Sequence, residues 1–452
     1  MTAQAGGPTL DQIARDLAEG RTSSRRLVED CIARIDDPQG QGSTAFMQVD
    51  RESALATADA MDMLRAAGAQ PSRFAGIPVS IKDLFDVRGQ ITRAGSKVLA
   101  GPAAEQDAVA VARLRSAGFV LIGRTSMTEF AYSGLGLNPH YGTPLSPWKR
   151  DEGHISGGST SGGAVSVADG MAHAALGTDT GGSCRIPAAW CGLVGFKPTA
   201  RRVPRDGAVP LSTTLDCVGP LARSVACCAA LDAILSGEGE GDLAPVELDR
   251  LRIGAVTNVV LGGIEPAVLE AYEAALAKLE AAGATVERIS VTAFDRVAGL
   301  SAKGGFPAAE AYAWHRRLLG ERRDAYDPRV SIRIMRGTEQ DAADFVDLLA
   351  GRAALIAEAE DQLAAYDVIV MPATPILPPL LSALEQDDAL YGQANILALR
   401  NPTLINMIDG CAISLPVPSS VGAPVGLMLA STAGRDSQIL AIAGAVEEML
   451  HG

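Results

Sequence analysis

Two serines in glycine-rich turns are the residues of this chain whose setting best suits nucleophilic chemistry. Ser159 lies in Gly157-Gly-Ser-Thr-Ser-Gly-Gly163, and Ser183 lies one βα-sized unit further along in Gly177-Thr-Asp-Thr-Gly-Gly-Ser-Cys-Arg185. Glycines before a serine allow backbone conformations that other residues avoid, and they expose successive N–H groups. Such N–H groups can hold the oxygen anion that forms when a hydroxyl attacks a carbonyl carbon. The two turns are therefore candidates for an acyl-transfer site.

A serine hydroxyl is a poor nucleophile near neutral pH, so such a site also needs a base. Histidine is the usual base, but none of the five histidines of this chain stands in a recognisable triad motif. They are His140, His154, His173, His315 and His451. Lys82, at the end of Gly76-Ile-Pro-Val-Ser-Ile-Lys-Asp83, is the alternative. Burial would lower the pKa of this lysine and make its neutral amine available as a base.

Each of these features also has a plainer interpretation. A Gly/Ser-rich segment is commonly a flexible loop, and a lysine after a strand commonly lies at the surface. A strict phosphate-binding loop is excluded because no Gly-Lys-Ser/Thr follows the glycines. The G-x-S-x-G elbow of α/β-hydrolases is absent at Ser159 and at Ser183. Composition and spacing alone therefore leave a serine–lysine hydrolase as one interpretation among several.

Hydrophobic periodicity predicts the elements that must position these residues. Helices are expected over 8–36, 51–67, 107–117, 164–171, 266–282 and 436–449. Strands are expected over 76–82, 119–123, 172–177, 251–256 and 366–372. This alternation predicts an α/β fold whose central sheet is covered by helices on both faces. Residues 305–365 are charged and helical, either as a solvated excursion or as a cap that shapes a substrate mouth.

Composition narrows the class of protein. The chain has 452 residues and a net charge of −14, which disfavours binding to nucleic acid or to an anionic membrane surface. Seven scattered cysteines without a C-x-x-C pair indicate reduced thiols in a cytoplasm. The first residues have neither a basic nor an apolar stretch typical of a signal peptide, and no apolar run reaches membrane-spanning length. The histidine spacing indicates no metal site, and no cofactor is expected.

The stretch 157–199 strongly resembles the signature of the amidase signature family. Supporting segments lie at 76–83, 123–130, 141–148, 371–375, 410–416 and 424–427. The resemblance implies the amidase-signature fold, a mixed central sheet between helices with an excursion around 305–365. It also divides the chain into N-terminal helices on the core (1–68), a signature core (69–240) and the remainder of the same domain (241–452).

The resemblance also implies roles for individual residues. Lys82 would be the base, Ser159 would relay the proton after a cis peptide bond from Gly158, and Ser183 would be the nucleophile. The implied oxyanion hole consists of the backbone N–H groups of Thr180, Gly181, Gly182 and Ser183. Asp179 and Arg185 would order the nucleophile loop. Cleavage of an amide-type C–N bond through an acyl-enzyme is the implied reaction.

The substrate is less closely specified. The glycine-rich, apolar loop 130–138 is expected to line one wall of the pocket, through Tyr132, Ser133, Gly134 and Leu135. Such a wall would suit a small neutral apolar or aryl amide, or a carbamate of similar shape. Two other interpretations stay open: the glutaminase subunit of a tRNA-dependent amidotransferase, and an interaction protein that kept the fold without activity. A homodimer is expected for such an enzyme.

Overall fold

A computed structural model describes residues 6–451 and places eleven strands in one mixed sheet. The strands are β1 Phe46–Val49, β2 Pro78–Lys82, β3 Val120–Thr125, β4 Ala174–Asp179, β5 Val194–Lys197, β6 Cys217–Ala222, β7 Arg252–Val256, β8 Thr285–Ile289, β9 Val368–Pro372, β10 Cys411–Val417 and β11 Val425–Ser431. Their spatial order is β1-β3-β2-β4-β6-β5-β10-β11-β9-β7-β8. The prediction about a leader at the start of the chain falls largely on residues 1–5, which lie outside the described residues.

Helices flank this sheet, which confirms the predicted α/β fold class. The helices are α1 Leu10–Ala18, α2 Ser24–Ile35, α3 Gly42–Ala45, α4 Arg51–Ala66, α5 Val109–Ser116, α6 Ser161–Ala168, α7 Arg185–Cys191, α8 Val225–Ser236, α9 Pro266–Ala281, α10 Thr292–Asp295, α11 Val297–Leu300, α12 Gly305–Arg322, α13 Pro328–Met335, α14 Ala342–Leu363, α15 Leu381–Gln386, α16 Asp388–Met407 and α17 Asp436–His451. None of these helices, within residues 6–451, is long and apolar enough to cross a membrane.

The centre of the sheet positions the reactive segments. β2 and β4 pair in parallel, with Ile81 opposite Leu176, and every residue of both strands is buried. Because parallel strands end at the same edge of a sheet, the end of β2 at Lys82 lies beside the end of β4 at Asp179. The chain turns there into the segment that contains Ser183.

The N-terminal region differs from the prediction of helices alone. β1 lies within it and pairs antiparallel with β3 at the edge of the sheet. A strand of four residues is too short to show a clear alternation of apolar and polar residues, so its pairing with β3 decides its conformation. Elsewhere in this region Ser23 caps α2 by accepting a hydrogen bond from the N–H of Arg26 at 3.1 Å.

The charged excursion, residues 305–365, consists mainly of α12, α13 and α14 and is anchored on the core. His315 of α12 is fully buried, and its ring centroid lies 4.3 Å from that of Phe130. Burial lowers the pKa of His315 to about 3, so the ring is neutral and pairs with the Tyr326 hydroxyl at 2.9 Å. The excursion therefore packs against the start of the loop that was predicted to line the pocket.

Candidate active site

Lys82 and Ser159 meet in the interior of the protein. The Lys82 amine lies 2.8 Å from the Ser159 hydroxyl, and neither side chain is exposed to solvent. The amine also lies 2.8 Å from the Thr178 hydroxyl and 3.4 Å from the Thr178 carbonyl oxygen. As a neutral amine, Lys82 can donate its two hydrogens to Thr178 and accept the Ser159 proton on its lone pair.

Burial sets the protonation of Lys82. It lowers the pKa of the lysine from 10.5 to about 8, although nearby ionisable groups, including Asp179 and Asp216, favour the charged form. The neutral base is then accessible at a pH where an exposed lysine stays protonated.

The backbone of Ser183 lies next to the segment that carries Ser159, and Ser183 is buried but lines a cavity. The N–H of Thr160, the residue after Ser159, donates to the Ser183 carbonyl oxygen at 3.3 Å. The Ser183 side chain lines a cavity of about 380 Å³. The hydroxyls of Ser159 and Ser183 are not hydrogen-bonded to each other among the described contacts, whereas Lys82 and Ser159 are. The peptide bond between Gly158 and Ser159 is cis.

Asp179 and Arg185 hold the turn that carries Ser183. The Asp179 carboxylate accepts hydrogen bonds from the backbone N–H groups of Gly182 at 2.8 Å and Cys184 at 3.0 Å. Arg185 pairs with the same carboxylate at 2.8 Å, and both charged groups are fully buried. Burial would raise the pKa of Asp179, but the Arg185 guanidinium lowers it well below its usual range, so the carboxylate stays ionised.

Three of the four residues predicted for the oxyanion hole have free N–H groups. The N–H groups of Thr180, Gly181 and Ser183 make no hydrogen bond to another described residue, and all three residues line the cavity. Gly182 departs from the prediction because its N–H already donates to Asp179. Gly182 has a φ of +127°, and a Cβ added there would lie 2.7 Å from the Ile186 side chain, so this position of the turn requires glycine.

Only part of the loop that was predicted to line the pocket reaches the cavity, and the rest lies in the core. Tyr132 and Ser133 line the cavity, but Gly134 and Leu135 lie behind its wall and correct that part of the prediction. The Gly134 carbonyl accepts the N–H of Gly158 at 2.9 Å, so the loop supports the turn before Ser159. Leu135 is fully buried in the core.

Sequence reasoning missed several groups near the site. Thr178 holds Lys82, and Asp216 accepts the Thr180 hydroxyl at 2.5 Å as well as the N–H groups of the loop before it. Burial raises the pKa of Asp216 to about 6. Arg333 and Arg336 of the excursion line the cavity. The motif from Asp179 to Ser183 predicts the conformation of its own segment only. No local sequence pattern shows that Asp216 or the two arginines lie near that segment in the folded chain.

A second cavity of about 510 Å³ lies on the other side of Thr180. It shares Ala131, Thr180 and Leu211 with the first cavity and reaches Thr178 and Asp216. Of these two cavities, Ser183 lines only the smaller one.

Comparison with known protein families defines the class of enzyme to which this chain belongs. The model of the amidase family matches residues 26–440, so the chain belongs to the amidase family. It is a hydrolase that acts on carbon–nitrogen bonds other than peptide bonds.

Individual relatives agree with this class. The chain is 34% identical over 409 residues to 2-amino-5-chloromuconic acid deaminase of Comamonas testosteroni, which covers 90% of this chain and 88% of that protein. It is 33% identical over 470 residues to a glutamyl-tRNA(Gln) amidotransferase subunit of Chromohalobacter salexigens, covering 96% and 95% of the two chains. The crystal structure of an amidase superposes with a TM-score of 0.88 at 32% identity, covering 98% of this chain and 100% of the other.

Proposed function

We propose that this chain hydrolyses a C–N bond in a small non-peptide amide or carbamate through an acyl-enzyme on Ser183. Lys82 is the base and Ser159 carries the proton between Lys82 and Ser183. The observation that carries the proposal is the fully buried contact of 2.8 Å between the Lys82 amine and the Ser159 hydroxyl, beside a cavity lined by Ser183.

The proton route follows from this arrangement. Neutral Lys82 takes the Ser159 proton as Ser159 takes the Ser183 proton, and the Ser183 oxygen bonds to the carbonyl carbon. This relay requires the two serine hydroxyls to come within hydrogen-bond distance when substrate binds. The route then runs in reverse to protonate the leaving nitrogen, and a water molecule hydrolyses the acyl-enzyme. The free N–H groups of Thr180, Gly181 and Ser183 are the donors that we assign to the developing oxyanion.

The lining of the cavity favours a substrate whose acyl group is apolar. Its apolar lining side chains include Leu211, Leu215, Ile396, Leu399 and Met407. An aryl or alkyl group of a few carbon atoms would be sheltered from water against this surface. The neutrality predicted for the whole substrate is less well supported, because Arg333 and Arg336 line the same cavity. The deaminase of Comamonas testosteroni, whose name gives an acid as its substrate, agrees with a charged substrate.

A second candidate is the glutaminase role within an amidotransferase complex. The 33% identity to the amidotransferase subunit of Chromohalobacter salexigens, over 96% of this chain, favours it. This role predicts that the chain copurifies with a partner and does not hydrolyse simple amides by itself. Hydrolysis of a simple amide by the isolated chain would therefore exclude a glutaminase role that depends on such a complex.

The test compares the wild type with Ser183→Ala and Ser133→Ala. Small amides, p-nitroanilides and aryl carbamates are supplied, and intact-protein mass is measured after exposure to a fluorophosphonate. We expect the wild type to turn over part of the panel and to gain one probe adduct, and Ser183→Ala to do neither.

Ser133→Ala is the matched control because it removes another hydroxyl from the same cavity. It should keep the adduct on Ser183. A Ser183→Ala protein that still gains the adduct or still turns over substrate would refute the assignment of the nucleophile.

A further inference from the structure

The cavity beside Ser183 has an uneven distribution of charge. Arg333 and Arg336 are the only charged side chains among its described lining residues, and no carboxylate lines it. Arg333 belongs to α13, and Arg336 follows three positions later at the end of that helix. Residues three apart lie on the same side of a helix, so both guanidinium groups reach the same wall.

Neither arginine is neutralised by an acidic partner. Within residues 6–451, Arg333 and Arg336 form no ion pair, although many other arginines of the chain do. Each gives one hydrogen bond of 2.6 Å to a backbone carbonyl, Arg333 to Tyr132 and Arg336 to Ala302. A guanidinium carries five N–H donors, so each arginine keeps donors for a ligand.

The neighbouring groups hold Arg333 in place and extend the polar wall. Its guanidinium lies 5.3 Å from the centre of the Tyr391 ring, and the Tyr391 hydroxyl donates to Ser133 at 2.8 Å. The Asn395 side-chain oxygen accepts from Ser133 at 2.8 Å, which leaves the Asn395 amide hydrogens without a described partner. The positive charges of both arginines act on Tyr132. Burial raises the pKa of the Tyr132 hydroxyl, and the charges of Arg333 and Arg336 oppose that rise.

We propose that Arg333 and Arg336 bind a carboxylate of the substrate at the opposite end from the bond that Ser183 attacks. Planar guanidinium donors match the two oxygens of a carboxylate better than any other donor in this cavity. The substrate class is then a small amide or related C–N compound with an apolar middle and a free carboxylate. This inference rests on the proposed function, since it assigns the reacting end to Ser183.

The cavity supports this orientation. Ser183, the two arginines and a set of apolar side chains line the same cavity, and the hydrogen bond to the Tyr132 carbonyl fixes Arg333 at the loop that lines it. An anionic group placed among the apolar side chains would lose its hydration without compensation. The same group beside the two arginines exchanges water for charged hydrogen bonds.

The experiment compares a neutral and an anionic probe that react with the same serine. Phenylboronic acid and its 3- and 4-carboxy derivatives form a bond from the Ser183 oxygen to boron, as the serine proton passes to Ser159 and Lys82. Their dissociation constants are measured by calorimetry for the wild type, Arg333→Gln, Arg336→Gln and the control Arg317→Gln. Arg317 lies on α12, is 88% exposed, pairs with Glu321 and does not line the cavity.

We expect a carboxy derivative to bind the wild type and Arg317→Gln about tenfold or more tightly than phenylboronic acid. Each cavity variant should lose most of that preference while binding phenylboronic acid within about twofold of the wild type. Unchanged binding of the neutral probe shows that the variants are folded and that Ser183 is intact.

Two results would overturn the inference while leaving the proposed function in place. The first is equal binding of neutral and anionic probes by the wild type. The second is a preference for the anionic probes that persists in both cavity variants. If no boronic acid binds and the fluorophosphonate leaves Ser183 unlabelled, the proposed function fails and this inference fails with it.

Discussion

The pH dependence of catalysis is the sharpest consequence of a buried lysine base. Lys82 is fully buried, and burial lowers its pKa from 10.5 to about 8. Only the neutral amine can take the Ser159 proton, so the activity of the free enzyme should follow deprotonation of Lys82. We therefore expect kcat/KM to rise with pH and to level off above about pH 9.

The magnitude follows from the pKa itself. With a pKa of about 8, roughly one tenth of Lys82 is neutral at pH 7 and about nine tenths is neutral at pH 9. The expected rise in kcat/KM over this interval is therefore about tenfold. Lowering the pKa of Lys82 from 10.5 to about 8 also means that the folded protein destabilises the charged amine, relative to the neutral amine, by about 3 kcal/mol.

The same shift predicts how stability changes with pH. The unfolded chain keeps a proton on Lys82 up to about pH 10.5, whereas the folded chain loses it near pH 8. The unfolded state thus binds more protons in this window, so the free energy of unfolding should rise with pH there. Relative to Lys82→Met, the wild type should gain about 3 kcal/mol between pH 8 and 10.5.

Two measurements check this reasoning, with Lys97→Met as a control because Lys97 is exposed. Initial rates with an uncharged substrate are followed from pH 6 to 10, and urea unfolding is followed up to pH 10.5, the ordinary pKa of a lysine. Lys97→Met should match the wild type in both, and Lys82→Met should be inactive. A flat rate profile, or a midpoint near that of an exposed lysine, would refute the assignment of Lys82 as the base.

Two further predictions concern the turn that carries Ser183. Arg185→Leu leaves the buried Asp179 carboxylate without its cation, so the free energy of unfolding should fall by about 3–5 kcal/mol in a urea titration; a loss below about 1 kcal/mol would contradict the pairing. Gly182→Ala forces a side chain into contact with the core at a φ of +127°, so kcat should fall at least about tenfold. Gly299→Ala, where an added Cβ meets nothing within 4 Å, should keep wild-type kinetics, and equal losses in the two variants would argue against a special role for Gly182.

Much of the fold and the reactive stretch could be predicted because their signals are local. Apolar periodicity placed helices near α4 and α9 and ended a strand at Lys82, as the structure confirms. Short elements such as β1 gave no such signal, because a strand of four residues is defined by its partner. Ser159 and Ser183 each lie in a glycine-rich turn whose conformation depends on neighbours in the chain.

The sequence by itself therefore determined the α/β class, the family and the residues that carry the predicted chemistry. Only the tertiary structure decided what surrounds them. Burial of Lys82 depends on the pairing of β2 with its neighbours, and the charge of the cavity depends on how the excursion packs against the loop at Phe130. A helical pattern shows that Arg333 is charged but does not show which surface it faces, because that depends on contacts between segments far apart in the chain.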